Sequence, residues 1–269
     1  MSERANLNQK IENLINLIAS KSINYHDFIG IANGIDDIKN LFDPKDFSMW
    51  HTLGLPVMKL DNGKITLKSR ETDICDETFC FVDIETTGGT KDGQIIEIGA
   101  LKVRGGDIIG KFETFVRAEA IPQNITELTG ITLEDVAGAP NLASVLESFR
   151  LFLGEAVFVA HNAKFDYGFI SHSLENLGFG MLLNLRICTI DLARRTIPSQ
   201  RYGLSALKEL LGVQNTHHRA YSDAVSCYEI FKHALTQIPW SVQTTTDLIQ
   251  FSKTAKSVVL PKSLPSENL

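Results

Sequence analysis

Between residues 77 and 238, apolar runs alternate with segments of helical periodicity. Four runs predict strands: FCFVDI (79–84), QIIEIGALKV (94–103), IIGKFETFVR (108–117) and AVFVA (156–160). A short fifth strand is expected near LRICTI (185–190), and amphipathic helices are expected over residues 139–154, 164–178, 203–212 and 220–237. Strands separated by helices predict an α/β domain in which a central mixed sheet is covered by helices.

The two ends of the chain have a different pattern. Apolar residues recur at helical spacing near the start, at Leu7, Ile11, Leu14 and Ile18. Further short helices follow, and then two short apolar runs flank Asp61-Asn62-Gly63, a sequence typical of a β-hairpin. Residues 1–76 therefore predict a small helical, winged-helix-like module of unknown function. Residues 239–269 are rich in Ser, Thr, Lys and Pro and predict a tail that binds a partner or is disordered.

The composition is that of an ordinary globular protein. Of the 269 residues, 43% are hydrophobic and 22% are charged, which is enough for a sizeable core. The four cysteines (Cys75, Cys80, Cys188 and Cys227) form no CxxC pair, which argues against a disulfide framework or a zinc site. The start, MSERANLNQK, does not resemble a signal peptide, and no apolar run approaches the length of a membrane span. We expect a cytoplasmic protein without membrane contact.

The formal net charge of −6 restricts how the chain could bind nucleic acid. Proteins that hold long duplex DNA without sequence preference usually carry an excess of basic residues. This chain therefore either avoids nucleic acid or contacts a short stretch and leaves the grip on the duplex to a partner.

Two acids stand at the end of the first α/β strand. Side chains two residues apart point to the same face of a strand, so Asp83 and Glu85 direct both carboxylates to one place, with Ile84 turned away. Like charges at such a distance raise each other's pKa unless a positive charge lies between them. The spacing therefore predicts a bound cation.

Two more acids follow in positions that suit a site or a helix start. Asp166 lies just inside the helix that follows AVFVA, where open α/β sheets place their sites. Asp223 lies in the first turn of a later helix, and His218 precedes it by five residues. Either acid, taken alone, is more simply interpreted as a favourable charge or cap at a helix N-terminus. Several carboxylates together suit Mg²⁺ or Mn²⁺ better than zinc.

The order of these segments resembles the three motifs of the DEDD superfamily of 3′–5′ exonucleases. The histidine five residues before the last acid marks the DEDDh branch, and His218 has this spacing whereas His217 is one residue too early. TELTGIT (126–132) and GLSALKELLG (203–212) occupy the places of two further segments of the family. The resemblance covers residues 77–236 and is closest to the epsilon proofreading subunits of bacterial DNA polymerase III.

The resemblance implies a ribonuclease-H-like fold with a five-stranded sheet, and it implies hydrolysis of the terminal phosphodiester with two Mg²⁺ or Mn²⁺ ions. Asp83, Glu85 and Asp223 would be the principal metal ligands, and Asp166 would complete the set directly or through water. His218 would be the general base, since an imidazole suits proton transfer at neutral pH. His161 is expected to be structural, fixing the turn after AVFVA.

Motif position also suggests residues that contact the substrate. Thr86 and Thr129 would line the pocket for the terminal nucleotide, together with His218. Leu128 and Phe165 would either wedge or stack against the last bases, or be ordinary core side chains. Six cations could contact phosphates or simply be solvated: Lys91, Lys164, Arg194, Arg195, Arg201 and Arg219.

The expected function is therefore removal of nucleotides from the 3′ end of single-stranded or frayed DNA, as a proofreader for DNA polymerase III. Its partner would be the alpha subunit of that polymerase. TTDLIQF (245–251) has the look of a peptide that docks on the sliding clamp, but a short helix that packs back on the domain is the favoured interpretation of that segment. An RNA 3′ exonuclease of the same superfamily and a non-catalytic module that binds a polymerase are the alternatives for the whole chain.

Overall fold

The computed structural model describes residues 2–90, 92–214 and 219–253. The N-terminal segment contains four helices and a small antiparallel sheet. The helices are α1 (Ser2–Ser20), α2 (Tyr25–Asn33), α3 (Asp36–Leu41) and α4 (Phe47–Thr52), and the strands are β1 (Ile23–Asn24), β2 (Val57–Lys59) and β3 (Lys64–Leu67). The hairpin predicted around Asp61-Asn62-Gly63 is formed by β2 and β3, and β1 adds a third strand on the other side of β3.

A five-stranded mixed sheet forms the centre of the α/β region, as the sequence predicted. Its strands are β4 (Thr78–Thr86), β5 (Ile95–Arg104), β6 (Asp107–Phe115), β7 (Val157–Ala160) and β8 (Arg186–Cys188). They lie in the order β6-β5-β4-β7-β8, with antiparallel pairing from β6 to β4 and parallel pairing from β4 to β8. The first three strands form a meander, and the parallel strands follow helices, which is the connection that parallel pairing requires.

Helices cover both faces of this sheet. They are α5 (Gln123–Thr129), α6 (Leu133–Ala137), α7 (Leu142–Leu153), α8 (Ala163–Asn176), α9 (Thr189–Thr196), α10 (Leu204–Leu211), α11 (Ala220–Leu235) and α12 (Thr245–Lys253). The side chains of β4 alternate between two apolar clusters: Phe79 and Phe81 pack towards α11, whereas Cys80 and Val82 pack towards α7 and α8. Strand β4 is therefore buried on both faces, as its apolar sequence indicates.

The short strand expected near LRICTI is β8, and the unpredicted helix α9 follows it directly. Only Arg186–Cys188 is extended, and α9 starts at Thr189 without an intervening turn. The change occurs at Thr189, which is buried and whose hydroxyl lies 3.4 Å from the carbonyl oxygen of Ala160 on β7. Tertiary contacts at the end of the sheet thus end the strand earlier than its β-branched sequence suggests.

The N-terminal segment and the α/β region share one apolar core. Leu14 and Ile18 of α1 belong to the same cluster of buried side chains as Phe81 of β4 and Leu183. The backbone N–H of Leu183 donates a hydrogen bond of 2.8 Å to the carbonyl oxygen of Leu53, after α4. Residues 9–76 are therefore packed against the α/β region.

The segment TTDLIQF forms most of helix α12, which packs on α9 and the end of β8. Leu248 is fully buried, and the backbone N–H of Thr245 donates to the carbonyl oxygen of Thr72 at 3.0 Å. This is the helical alternative of the sequence prediction, and it joins residues 72–74 to residues 243–245. Among the described residues, none of the helices has both the length and the apolar character that a membrane span needs.

Candidate active site

The carboxyl end of β4 presents two acids, and helix α11 brings a third to them. Asp83, Glu85 and Asp223 each offer one carboxylate oxygen within 4.8 Å of the others. Ile84 points away into the apolar cluster under α7 and α8, as strand alternation requires. The three acids line a cavity of about 240 Å³ whose wall also includes Asp166.

Asp166 reaches this cavity from the first turn of α8. Its side chain is buried, and its Oδ1 atom accepts a hydrogen bond of 3.3 Å from the backbone N–H of Ile84. The structure thus brings Asp83, Glu85, Asp166 and Asp223 to one cavity. Within the described part of the chain, Asp166 is outside the group of three whose oxygens lie within 4.8 Å of one another.

The turn before α8 is held by His161 and Asn162. Asn162 has a φ of 76°, a left-handed conformation that asparagine tolerates better than most residues. The ring of His161 is fixed at both nitrogens, with Nδ1 2.9 Å from Thr189 Oγ1 and Nε2 3.0 Å from the carbonyl oxygen of Tyr202. Burial lowers the pKa of His161 to about 4. His161 is therefore a neutral ring with both nitrogens in use, which fits the structural role expected from the sequence.

Asp223 approaches the strand acids because α11 packs directly on β5 at a glycine. Gly99 is the Cα partner of Asp83 across the sheet. A Cβ atom at position 99 would collide with the backbone of Ala220 and Tyr221 at the start of α11. Only glycine permits this approach, so Gly99 positions the third acid although it carries no chemistry. Its sequence signal is an isolated glycine inside a strand pattern.

A buried lysine accompanies Asp223. Lys208 of α10 has 2% of its surface exposed, and its Nζ atom lies 3.6 Å from Asp223 Oδ1. A buried ammonium is costly unless it is paired, so this contact places a fixed positive charge beside the carboxylates. Nothing in the sequence pattern sets Lys208 apart from an ordinary lysine of GLSALKELLG.

A second ion pair, also missed by the sequence analysis, lies next to Glu85. Glu97 on β5 is the Cα partner of Glu85 and has 1% of its surface exposed. Its Oε1 atom accepts hydrogen bonds from Arg219 Nη2 at 2.9 Å and from Arg219 Nε at 3.1 Å. The signal available in the sequence was a single acid inside the apolar run QIIEIGALKV, where an unpaired charge would be expensive.

The carboxylates of the cavity repel one another strongly. Burial raises the pKa of Asp83 well above its ordinary value, and the neighbouring Asp166, Glu85 and Asp223 raise it further. Burial, followed by Glu97 and Asp223, raises the pKa of Glu85 to about 7. Burial also raises the pKa of Asp166 to about 7, although its carboxylate accepts the hydrogen bond from Ile84. Several acids with raised pKa values in one cleft indicate a functional site and favour a bound cation.

The candidate substrate residues are placed around this site in different ways. Phe165 lines the cavity and is partly exposed, and Leu128 is exposed on α5. The hydroxyl of Thr86 donates to the carbonyl oxygen of Gly88 at 2.9 Å, just beyond the strand acids. Thr129 is buried, and its hydroxyl donates to the carbonyl oxygen of Ile125.

His218, the candidate general base, lies outside the described residues, as do His217 and Lys91. The neighbouring Arg219 is described, and its guanidinium is engaged with Glu97. Arg194 and Arg195 lie on α9, where Arg194 approaches Asp191 at 3.5 Å and Arg195 stacks over Phe251 of α12.

Comparison with known proteins agrees with this geometry. The RNase T family model, whose description is "Exonuclease", matches residues 80–231, a stretch that contains all four acids of the cavity. The chain belongs to this exonuclease family. It is a member of the DEDD superfamily of 3′–5′ exonucleases and has the fold of that superfamily.

The similar sequences include DNA polymerases. The exonuclease chain is 41% identical over 191 residues to the PolC-type DNA polymerase III of Staphylococcus haemolyticus (strain JCSC1435). It is 40% identical over 191 residues to the corresponding protein of Staphylococcus aureus (strain bovine RF122 / ET3-1). Each match covers 69% of this chain and 13% of the relative. The exonuclease chain therefore spans about an eighth of the length of these relatives.

Solved structures of nucleases share the fold. Exonuclease X in complex with 5′ overhanging duplex DNA superposes with a TM-score of 0.53 at 25% identity, covering 65% of this chain and 99% of that one. Escherichia coli exonuclease I in complex with a dA16 oligonucleotide superposes with a TM-score of 0.54 at 18% identity, covering 61% of this chain and 42% of that one. The nuclease domain of 3′hExo, a DEDDh family member bound to rAMP, superposes at 0.52 with 17% identity, covering 61% and 94%.

Proposed function

We propose that this exonuclease removes nucleotides from the 3′ ends of single-stranded or frayed DNA with the help of divalent metal ions. The observation that carries the proposal is the convergence of Asp83, Glu85 and Asp223 within 4.8 Å of one another, in a cavity shared with Asp166. Buried carboxylates with raised pKa values are stabilised by a cation more than by any other ligand.

The donor set fits Mg²⁺ or Mn²⁺. All the candidate ligands are carboxylate oxygens, which hard divalent cations prefer, and none of the described residues that line the cavity is a cysteine, which would favour zinc. Asp83, Glu85 and Asp223 would hold the metal, with Asp166 completing the set. When bound, a pair of such ions supplies charge stabilisation for the attacking and leaving oxygens of the phosphodiester.

His218 is the proposed general base for the attacking water. It stands five residues before Asp223, and a neutral imidazole accepts a proton readily near pH 7. The geometry of His161 supports this choice indirectly. Both nitrogens of His161 are engaged and its pKa is about 4, so His161 is a poor proton acceptor at neutral pH.

The acidic charge of the chain supports a substrate that is short and unpaired. A net charge of −6 opposes a long phosphate backbone, whereas metal ions offset the acids at the cleft itself. Thr86, Thr129 and His218 are proposed to contact the terminal nucleotide. Phe165 lines the cavity with a partly exposed ring, on which an unpaired base could stack.

The similarity to PolC-type polymerases supports a proofreading role. In this role the alpha subunit of DNA polymerase III would hold the duplex and deliver mispaired ends, which unpair at lower cost. We do not assign TTDLIQF to the sliding clamp, because Leu248 of this segment is fully buried on the face of α12 that packs on the domain. Clamp binding through TTDLIQF would require α12 to leave its place.

The decisive experiment uses matched DNA and RNA oligonucleotides labelled at the 5′ end. With Mg²⁺ or Mn²⁺, we expect the DNA strand to shorten one nucleotide at a time, faster from a mispaired than from a paired primer end. Chelation by EDTA should stop the reaction. Preferential digestion of RNA would indicate an RNA exonuclease instead of a DNA exonuclease. Ends that stay intact with either metal would indicate a non-catalytic module.

A further inference from the structure

Glu97 occupies the point where β4, β5 and α11 meet. It is the Cα partner of Glu85 on the neighbouring strand. Its Oε2 atom accepts a hydrogen bond of 3.1 Å from the backbone N–H of Ala220, the first residue of α11. Its Oε1 atom accepts the two bonds from Arg219. One buried carboxylate therefore ties a strand that bears one candidate ligand to the helix that bears another.

This contact provides the N-terminal cap of α11 from a different part of the chain. Helices leave their first N–H groups without internal partners, and a side chain at the N-cap position usually accepts from one of them. Arg219 stands at the N-cap of α11, and its own side chain makes no such bond. The carboxylate of Glu97 takes this place, and its negative charge is also favourable at the positive end of the helix dipole.

Arg219 completes the connection to Asp223. The backbone N–H of Asp223 donates to the carbonyl oxygen of Arg219 at 3.0 Å, so the two residues share the first turn of α11. The guanidinium lies 5.1 Å above the ring of Phe115 on β6, which restricts it further. Gly99 lets the helix approach the sheet, but close approach alone does not fix rotation about the helix axis. The paired hydrogen bonds from the guanidinium of Arg219 to Glu97 restrict that rotation.

We propose that Glu97 and Arg219 form a positioning pair that holds Glu85 and Asp223 at the separation needed to bind a divalent cation between them. This inference rests on the proposed function, because it assumes that these acids bind metal. The pair acts through the ligands and does not itself contact the metal or the nucleotide. Three N–H groups occupy the carboxylate of Glu97, and 1% of the residue is exposed.

A purely electrostatic role would give a different pattern of effects. If Glu97 and Arg219 acted only through their charges, loss of the acid would weaken cation binding and loss of the guanidinium would strengthen it. Positioning predicts that both losses weaken binding. The sign of the Arg219 effect therefore separates the two explanations.

The test measures Mn²⁺ affinity by calorimetry on the full chain without nucleic acid. The variants are Glu97→Gln, Arg219→Gln, the double variant, and Arg219→Lys, which keeps the charge but loses the fork. Each single Gln variant should bind Mn²⁺ about 10-fold more weakly or worse, since residues behind metal ligands typically contribute 10–100-fold. The double variant should bind Mn²⁺ no more weakly than the single variant with the lower affinity, because the two residues act as one unit.

The control is Lys232→Gln, which removes an exposed ion pair with Glu229 near the other end of the same helix. It should leave Mn²⁺ affinity unchanged. Steady-state digestion then provides a second measure: the positioning role lowers kcat at a given metal concentration and leaves KM for the oligonucleotide unchanged. Should Glu97→Gln unfold, Arg219→Lys still carries the test, with an expected intermediate loss of affinity.

Three results would overturn the inference. They are unchanged Mn²⁺ affinity in both Gln variants, tighter binding in Arg219→Gln, or a raised KM with normal metal affinity, which would mean that Glu97 or Arg219 contacts the nucleotide. Failure of the proposed function is a separate outcome, because the unmodified chain itself would then bind no Mn²⁺ and digest no ends.

Discussion

The acidic cavity and the surface that joins the N-terminal segment to the α/β region are built on opposite principles. At the cavity, Asp83, Glu85 and Asp223 are held together although their charges repel. At the N-terminal surface, side chains of opposite charge form an ion pair: Glu12 Oε1 of α1 lies 2.7 Å from Arg186 Nη2 of β8. Apolar side chains fill the remaining space. The first arrangement lowers stability until a cation binds, and the second raises it.

This contrast separates the acidic cavity, which is proposed to carry the function, from the shared core, which stabilises the fold. Carboxylates can stay in an unfavourable cluster only if other contacts offset the cost. The shared core that includes Leu14, Ile18 and Phe81 is the largest of the described apolar clusters and provides such contacts. Substitutions in the cavity should therefore lower activity and raise stability in the absence of metal, whereas substitutions in the shared core should lower stability and leave the activity of the folded molecule unchanged.

The largest effect is expected for Asp83→Asn. This change keeps the shape of the side chain and removes a metal ligand, so nuclease activity with Mg²⁺ should fall by about 10³-fold or more, equivalent to several kcal/mol of lost charge stabilisation. In EDTA at pH 8 the variant should unfold at a higher urea concentration than the unmodified chain, because one repelling charge is gone.

Asp191→Asn is the matched control, since Asp191 is an acid on the surface of α9 near Arg194. It should change neither activity nor stability measurably. An Asp83→Asn variant that loses stability in EDTA would contradict the view that the cavity is strained by its own charges.

His218→Ala should come next, with a loss of about 10²–10⁴-fold in turnover, which is typical of a general acid–base group. Unlike Asp83→Asn, it removes no metal ligand, so the rise in melting temperature on adding Mn²⁺ should be retained. His217→Ala is the control at the neighbouring position and should keep most activity. Equal losses in the two variants would remove the base assignment from His218.

Leu14→Ala tests the other side of the comparison. Leu14 is buried in the shared core, and truncation of such a side chain typically lowers the free energy of unfolding by about 2–5 kcal/mol. Below the melting transition, activity per folded molecule should be unchanged because Leu14 lies outside the cavity. Leu151→Ala, at an exposed position, is the control. A loss of activity without a loss of stability would show that α1 affects the site directly.

The sequence predicted the strand acids from local geometry. Asp83 and Glu85 share a face because strand side chains alternate, and this rule needs no knowledge of the rest of the fold. That Asp166 and Asp223 join them was indicated by the order of the motifs, and the structure brings all four to one cavity. The resemblance also predicted the ribonuclease-H-like five-stranded sheet, whereas periodicity alone predicted only a mixed α/β domain.

The supporting residues were not predictable in this way. Lys208 and Glu97 gain their roles from partners on other elements: Lys208 contacts Asp223 on the following helix, and Arg219 lies 122 positions after Glu97. Alternation and helical spacing describe one element at a time and do not tell which elements pack together. Gly99 was visible as a glycine in a strand, but the helix that requires it was not.

The pH dependence of stability should show the cost of the cavity directly. The pKa values of Glu85 and Asp166 are raised to about 7, so the folded chain binds protons more tightly than the unfolded chain. In EDTA, the free energy of unfolding should therefore fall by several kcal/mol as pH rises from about 4 to about 8. Urea unfolding across this range measures it, and saturating Mg²⁺ should flatten the curve. A curve in EDTA that rises over the same range would contradict the raised pKa values.

The smallest effect is expected for Glu12→Gln, which removes the ion pair between α1 and β8. Both side chains are partly exposed, so the pair should contribute about 0–1 kcal/mol to the free energy of unfolding. Arg186 also stacks on the ring of Tyr167, 4.8 Å from its centroid, and should keep its place without the acid. If Glu12→Gln instead destabilised the chain as much as Leu14→Ala, the N-terminal surface would depend on this charge pair and not on its apolar core. The N-terminal surface and the cavity would then both depend mainly on charge, attractive at the surface and repulsive in the cavity. Unfolding of Glu12→Gln and Leu14→Ala in high salt would reveal this, because salt screens exposed charges.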